Sequence, residues 1–134
     1  MKRAMSIFLA VAASFLWIAG TSASGIEKGK TDGVEYMTGG VGIDERQQMG
    51  ETAKEYNVKA VFATTSGSYL SSITITIAKT SGEKVLEATS NGPWFFAKLP
   101  QGKYSIKAVY NGMEKSETVD VGPGLESVIF EWKI

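Results

Sequence analysis

From residue 56 to its last residue, the chain switches its apolar side chains from one side to the other at every second position. It does so in short bursts separated by glycine, proline and asparagine. Tyr56, Val58, Ala60 and Phe62 alternate with Asn57, Lys59, Val61 and Ala63. Ile73, Ile75 and Ile77 alternate with Thr74 and Thr76, and Tyr104, Ile106, Ala108 and Tyr110 share a further face. Val128, Phe130, Trp132 and Ile134 close the series. A period of two places successive side chains on opposite faces of an extended strand, which excludes a helical body for this region. The interruptions carry turn chemistry: Thr64–Ser68, Thr80–Glu83, Ser90–Pro93, Pro100–Gly102, Asn111-Gly112 and Gly122–Gly124. Asn111-Gly112 is the strongest hairpin signal, because both residues accept the left-handed backbone of a two-residue turn. Val85–Thr89, Trp94–Phe96 and Glu117–Val121 supply the remaining strands. Seven short strands at this spacing predict an antiparallel sandwich or barrel.

A domain of this kind stands on its core alone. The chain has 134 residues, no cysteine and no histidine. Without cysteine there is no disulfide, thiol nucleophile or thiolate metal site. Without histidine there is no imidazole base, no Ser-His-Asp arrangement and no imidazole ligand. Fourteen basic residues balance fourteen acidic ones, so no basic excess points to nucleic acid.

Before the alternating region lie three segments of different character. Lys2 and Arg3 precede an apolar run from Ala4 to Ala19, followed by Gly20, Thr21, Ser22, Ala23 and Ser24. This basic, apolar and small-residue order predicts a secretory signal peptide over residues 1–24, with cleavage after Ala23 or after Ser24. Its apolar run is short for a bilayer span of ~20 residues. The expectation is an exported protein, periplasmic or secreted, not embedded in a membrane, and slightly acidic once Lys2 and Arg3 are gone. Residues 25–43 contain six glycines in 19 positions and no sustained period, and read as a flexible lead-in with a short strand around Tyr36–Thr38. Gly39-Gly40-Val41-Gly42 lacks the buried strand and Lys-Ser/Thr of a phosphate loop. Residues 44–55 read as a short helix. Asp44 is placed to cap it, Gln47 stands at the capping-box position, and Met49, Ala53 and Tyr56 line one face. Gly50 marks a weak point. Asp44 and Glu45 diverge as helix neighbours, so capping outweighs metal ligation for them.

The stretch Gly92, Trp94, Phe96, Leu99, Pro100, Gly102, Tyr104, with Ile106 two residues on, resembles the carboxypeptidase regulatory-like family. The resemblance covers residues 56–134, and its Leu-Pro-x-Gly-x-Tyr element is the specific part. It implies a seven-stranded, antiparallel, transthyretin-like (prealbumin-like) Greek-key sandwich of the kind found in non-catalytic modules and small stand-alone exported proteins. Asn91 stands where that family often carries Asp, which removes a potential calcium-binding carboxylate. Trp94, Phe96, Leu99 and Tyr104 are expected to converge on the core, each aromatic burying ~150–250 Å².

Transthyretin-like folds also host a hydroxyisourate hydrolase that depends on histidines, an arginine and a Tyr-Arg-Gly-Ser terminus. This chain has no histidine and ends Glu131-Trp132-Lys133-Ile134. Zinc peptidase chemistry lacks its ligands, and the carboxylates Asp44, Glu55, Glu87 and Asp120 are scattered rather than paired as a glycosidase requires. The expectation is therefore a non-enzyme without catalytic residues, cofactor or metal. Its partner is expected to be a periplasmic protein, met at a sheet edge or at the N-terminal segment. The alternative is a glycan or peptide platform built from Tyr69, Phe95 and Tyr110, with Trp132 a lesser candidate. By alternation Phe95 points away from Trp94 and Phe96, so it is either exposed or covered by the Met49/Ala53 helix. Lys59, Lys107 and Lys115 read as guards of strand edges.

Overall fold

The computed structural model describes residues 25–134; the expected signal peptide lies outside the described residues. Nine strands and one short helix follow in the order β1 (Glu27–Thr31), β2 (Val34–Gly39), α1 (Ile43–Thr52), then a single 3₁₀ turn (Ala53–Glu55). β3 (Val58–Thr64), β4 (Ile73–Lys79), β5 (Lys84–Ser90) and β6 (Trp94–Lys98) come next, followed by β7 (Gly102–Tyr110), β8 (Met113–Val121) and β9 (Glu126–Trp132). They form a five-stranded sheet, β1-β2-β6-β3-β9, and a four-stranded sheet, β5-β4-β7-β8. The fold is mostly β, with the two sheets sharing one hydrophobic core and α1 on the outside.

Seven of the strands, β3 to β9, fall in residues 58–132 where the alternation placed strands. The other two correct the flexible lead-in. β1 and β2 form a hairpin, and β2 pairs with β6 from Glu35↔Lys98 to Gly39↔Trp94. Asp32 (φ 50°) and Gly33 (φ 83°) turn it, with both central residues at positive φ. Asn111 (φ 49°) and Gly112 (φ 79°) turn the β7–β8 hairpin in the same way. Asp-Gly and Asn-Gly are the two dipeptides that best tolerate this turn. The expected all-antiparallel pairing is also corrected: β9 runs parallel to β3, from Val58↔Glu126 to Thr64↔Trp132. β9 enters its sheet from β8 in the opposite sheet, so no tight turn dictates its direction.

Where alternation is one-sided, the predicted faces hold. Val58, Ala60, Phe62, Ile73, Ile75, Ile77, Ile106, Ala108 and Phe130 are almost entirely buried between the sheets, as are Tyr104 and Trp132. Phe130 stacks on Trp132 at 6.3 Å between ring centroids, and Phe62 lies 5.6 Å from Phe130. The Trp132 indole N–H donates to the Met113 carbonyl (3.0 Å), so its burial leaves no polar atom unsatisfied. Each such side chain contributes ~1.5–3 kcal/mol of transfer free energy, in a chain without covalent staples.

β6 reverses expectation. Phe95 is the residue in the inter-sheet core, 0% exposed and stacked on Tyr36 at 5.6 Å. Trp94 and Phe96 point to the outer face, where Phe96 joins Met37, Met49 and Tyr56 in a second apolar cluster beneath α1. Phe95 is therefore covered by the opposite sheet and not by the helix. The helix face Met49, Ala53, Tyr56 does lie on the body, over Phe96. Burial raises the pKa of the Tyr56 hydroxyl there, helped by the nearby carboxylates of Glu55 and Glu35.

Candidate functional site

The resemblance motif builds a corner. The Tyr104 hydroxyl reaches back to donate to the Pro100 carbonyl (2.7 Å), four residues upstream. Leu99 is buried, and Gly102 adopts φ 154°. Asn57 extends the β3–β6 ladder with its side chain: Oδ1 accepts from Leu99 N–H (2.8 Å) while Nδ2 donates to the Leu99 carbonyl (2.6 Å). Gly92 lies against Gly39 so closely that a Cβ would collide with the Gly39 carbonyl. Asn91, beside it, accepts from the buried Thr38 hydroxyl (2.6 Å) and donates to the Gly25 carbonyl (3.2 Å). These residues lock the β1–β2 hairpin and the sandwich into one body.

The loop from β2 into α1 is held by the helix itself. Gly42 is the N-cap and no side chain caps it, which corrects Asp44. The third helical residue, Glu45, binds the loop instead. Its Oε1 accepts from the backbone N–H groups of Gly40 (3.1 Å) and Val41 (3.2 Å). Its charge suits the positive helix end. Arg46 donates to the Gly40 carbonyl (2.6 Å), and its guanidinium lies 5.1 Å over the Tyr69 ring. The helix continues past Gly50 to Thr52. Gly50 is exposed and nothing packs where its Cβ would be.

Outside α1, the outer face of the five-stranded sheet stays partly open. Register puts Gly39, Trp94, Val61 and Ile129 in one row across β2, β6, β3 and β9, with Lys59 beside Phe96 in the next row. Trp94 and Val61 are half-buried, whereas Ile129 is 61% exposed. Val41 and Ile43, at the start of α1, are also exposed. The Lys59 ammonium sits 3.7 Å from the Trp94 ring centroid and 5.7 Å from that of Phe96. Burial lowers its pKa below the ordinary lysine value. Among the described residues no carboxylate forms an ion pair with Lys59; the three ion pairs found there are exposed, Lys79–Glu83, Lys84–Glu87 and Lys103–Asp120. Lys59 is thus not an edge guard. β3 lies between β6 and β9, and its lysine lies over aromatic rings.

The three aromatics expected to form a platform are not brought together. Phe95 has no exposed surface. Tyr110 packs on the Trp132 ring (6.0 Å), on the inner side of the sheet. Tyr69, bridged to Ala63 and stacked under Arg46, is 52% exposed and belongs to the outer side. Sequence reading missed Lys59, Trp94, Val61 and Ile129 as one surface, because they come from three strands distant in the chain. A groove of about 430 Å³ lies between α1 and β1, lined by Ile26, Lys28, Met37, Gln48, Met49 and Thr52. Its floor residues Met37 and Met49 are 1% and 0% exposed. Among the described residues no cluster of acidic side chains could hold a metal ion, and no helix is long and apolar enough to cross a membrane. No family model matches the chain, and no curated protein matches it.

Proposed function

We propose that this protein is an exported, non-catalytic accessory module that binds a partner protein in the periplasm through the outer face of its five-stranded sheet. The observation that carries the reading is the row of half-buried Trp94, half-buried Val61 and exposed Ile129, flanked by a ring-stacked lysine. A contiguous apolar surface with aromatic and cationic members is the usual chemistry of a protein contact. Tyr69 and Arg46 extend it on one side, and Val41 and Ile43 supply further exposed aliphatic surface. A glycan platform has less support, since Phe95 and Tyr110 do not share this face.

We further infer a transthyretin-like Greek-key sandwich akin to the carboxypeptidase regulatory-like domains. Setting β1 and β2 aside, the order is β6-β3-β9 against β5-β4-β7-β8. Chain connections pass between the sheets after β3, β5, β6 and β8, as in Greek-key sandwiches. The Tyr104–Pro100 corner supports the same assignment.

The test is site-specific photocrosslinking in the periplasm of a secreting bacterial host. A photoreactive residue is placed at Ile129 and, as control, at exposed Thr118 on β8. One discrete protein adduct from position 129, absent from position 118, is the expected result. Equal, diffuse labelling from both positions would rule this face out.

A further inference from the structure

An open sheet edge invites another strand, and proteins blunt it with lysine, a bulge or a run of charge. Three of the four edges among the described residues are blunted in this way. β1 carries Lys28 and Lys30, β5 slips its register between Lys84 and Leu86, and β8 carries Glu114, Lys115, Glu117 and Asp120. β9 is the exception, with Ser127, Val128, Ile129 and Phe130 running uncharged between Glu126 and Glu131. Its bonds to β3 leave a full row of backbone groups open. Glu126 N–H donates to the Asn57 carbonyl (2.9 Å), and the Trp132 carbonyl accepts from Thr65 N–H (3.0 Å). Alternate residues of a parallel strand bond the same neighbour, so Glu126, Val128, Phe130 and Trp132 face β3. The N–H and C=O groups of Ser127, Ile129 and Glu131 point outward, where no strand of the described residues pairs with them.

We propose that β9 pairs antiparallel with β9 of a second copy of this chain, across a twofold axis at Ile129, joining the two five-stranded sheets edge to edge. This register overlaps the strand over its whole length. Ile129 meets Ile129, Ser127 meets Glu131 on either side, and no carboxylate faces another. Every outward N–H and C=O of the three residues gains a partner. The charges fit as well. Lys59 shares a row with Ser127, and Glu131 of the second copy extends that row. Its carboxylate stands two strand spacings (~10 Å) along from Lys59, with only the small serine between. Lys59 forms no ion pair among the described residues of its own chain. A twofold contact is isologous, so both copies gain the same pairing. The row Trp94, Val61, Ile129 then runs unbroken from one copy into the next. The pairing does not depend on the partner contact proposed above.

The chain contains no cysteine, so a single introduced one reports its own neighbourhood. Protein purified from a secreting bacterial host is followed by sedimentation over a concentration series, and its mass is expected to rise to twice that of one chain. Glu131→Lys sets like charges in the Lys59 row. Ile129→Pro deletes an outward N–H and spares the ladder to β3. Both variants are expected to keep their circular dichroism and to sediment as single chains. If Ile129→Pro loses its fold, Glu131→Lys and the cysteines decide. Ile129→Cys is expected to give a covalent dimer on mild oxidation, since paired Cα atoms ~5.5 Å apart suit a disulfide. Thr118→Cys on β8 is expected to give none. A wild-type chain that stays monomeric throughout, a dimer that persists in a folded variant, or equal crosslinking from both cysteines overturns the proposal. In the photocrosslinking above, an adduct of twice the chain's mass from position 129 reports this pairing. An adduct of another mass reports a partner protein, so either reading can fail alone.

Discussion

At the scale of single residues, three positions, Tyr104, Gly92 and Lys59, are fixed by specific contacts. Tyr104 is buried with its hydroxyl on the Pro100 carbonyl. Tyr104→Phe keeps the ring and strands that carbonyl, so a loss of about 0.5–1.5 kcal/mol is expected in urea denaturation, with an unchanged m-value. Gly92 meets the Gly39 backbone; Gly92→Ala forces two chain segments apart, at a cost of about 1–3 kcal/mol in the same measurement. Lys59 gives a pH signature. Its pKa is lowered by burial, so above the folded value the unfolded chain holds more protons than the native one. Its share of stability therefore rises with pH, from the lowered folded pKa up to the ordinary value near 10.5. NMR titration of the lysine side chains should find Lys59 the first to lose its proton. A Lys59 that titrates with the exposed lysines would remove the case for a half-buried cation on the sheet. None of these contacts is visible in composition; Gly92 meets Gly39 and Lys59 meets Trp94 from distant parts of the chain, while Tyr104 bonds Pro100 within its own turn.

At the scale of elements, the β1–β2 hairpin shows what local chemistry can and cannot announce. Asp32-Gly33 is a hairpin dipeptide of the same kind as Asn111-Gly112. It is hidden by the glycine-rich segment around it, which reads as mobile on composition. What turns the segment into sheet is the pairing of β2 with β6 and the bonds from Asn91 to Thr38 and Gly25. Asn91→Ala leaves the buried Thr38 hydroxyl without its acceptor. A loss of about 1–3 kcal/mol is expected, along with faster amide exchange across β1 than across β4. Uniform exchange in all strands would show that Asn91 does not hold the hairpin. β6 teaches the complementary lesson. Its sequence Trp94-Phe95-Phe96-Ala97 is apolar on both faces because the opposite sheet covers Phe95 and Ala97, while Phe96 packs on Met49 of α1 with Trp94 half-buried beside it. Alternation cannot set the phase of such a strand, and a one-residue slip exchanges every side chain between faces. The helix, by contrast, was legible. Met49, Ala53 and Tyr56 share the face that lies on Phe96, although Asp44 does not cap the helix and the Glu45 carboxylate binds the Gly40–Val41 loop instead.

At the scale of the whole molecule, the two sheets leave one face unfinished, and the proposed partner contact depends on it. Ile129→Glu places a charge in the row Trp94, Val61, Ile129 without entering the inter-sheet core, since Ile129 is 61% exposed. Melting temperature is expected to change by little, a surface substitution being worth about ±0.5 kcal/mol. The crosslinked adduct, captured instead from a neighbouring position such as Val61, should disappear. An adduct that persists undiminished would place the contact elsewhere.

The sequence by itself determined where the strands of residues 58–132 lie and which side of most of them faces inward. It also determined that no disulfide supports the core. These follow from a period of two, from turn residues acting on their own backbone, and from a residue count. Tertiary structure alone decided the phase of β6, the recruitment of β1 and β2, the parallel entry of β9 and the grouping of Lys59 with Trp94 and Ile129. Backbone hydrogen bonds between strands are the same whatever side chains they carry. Which strand pairs with which, and in which direction, is settled only when the competing faces are buried together.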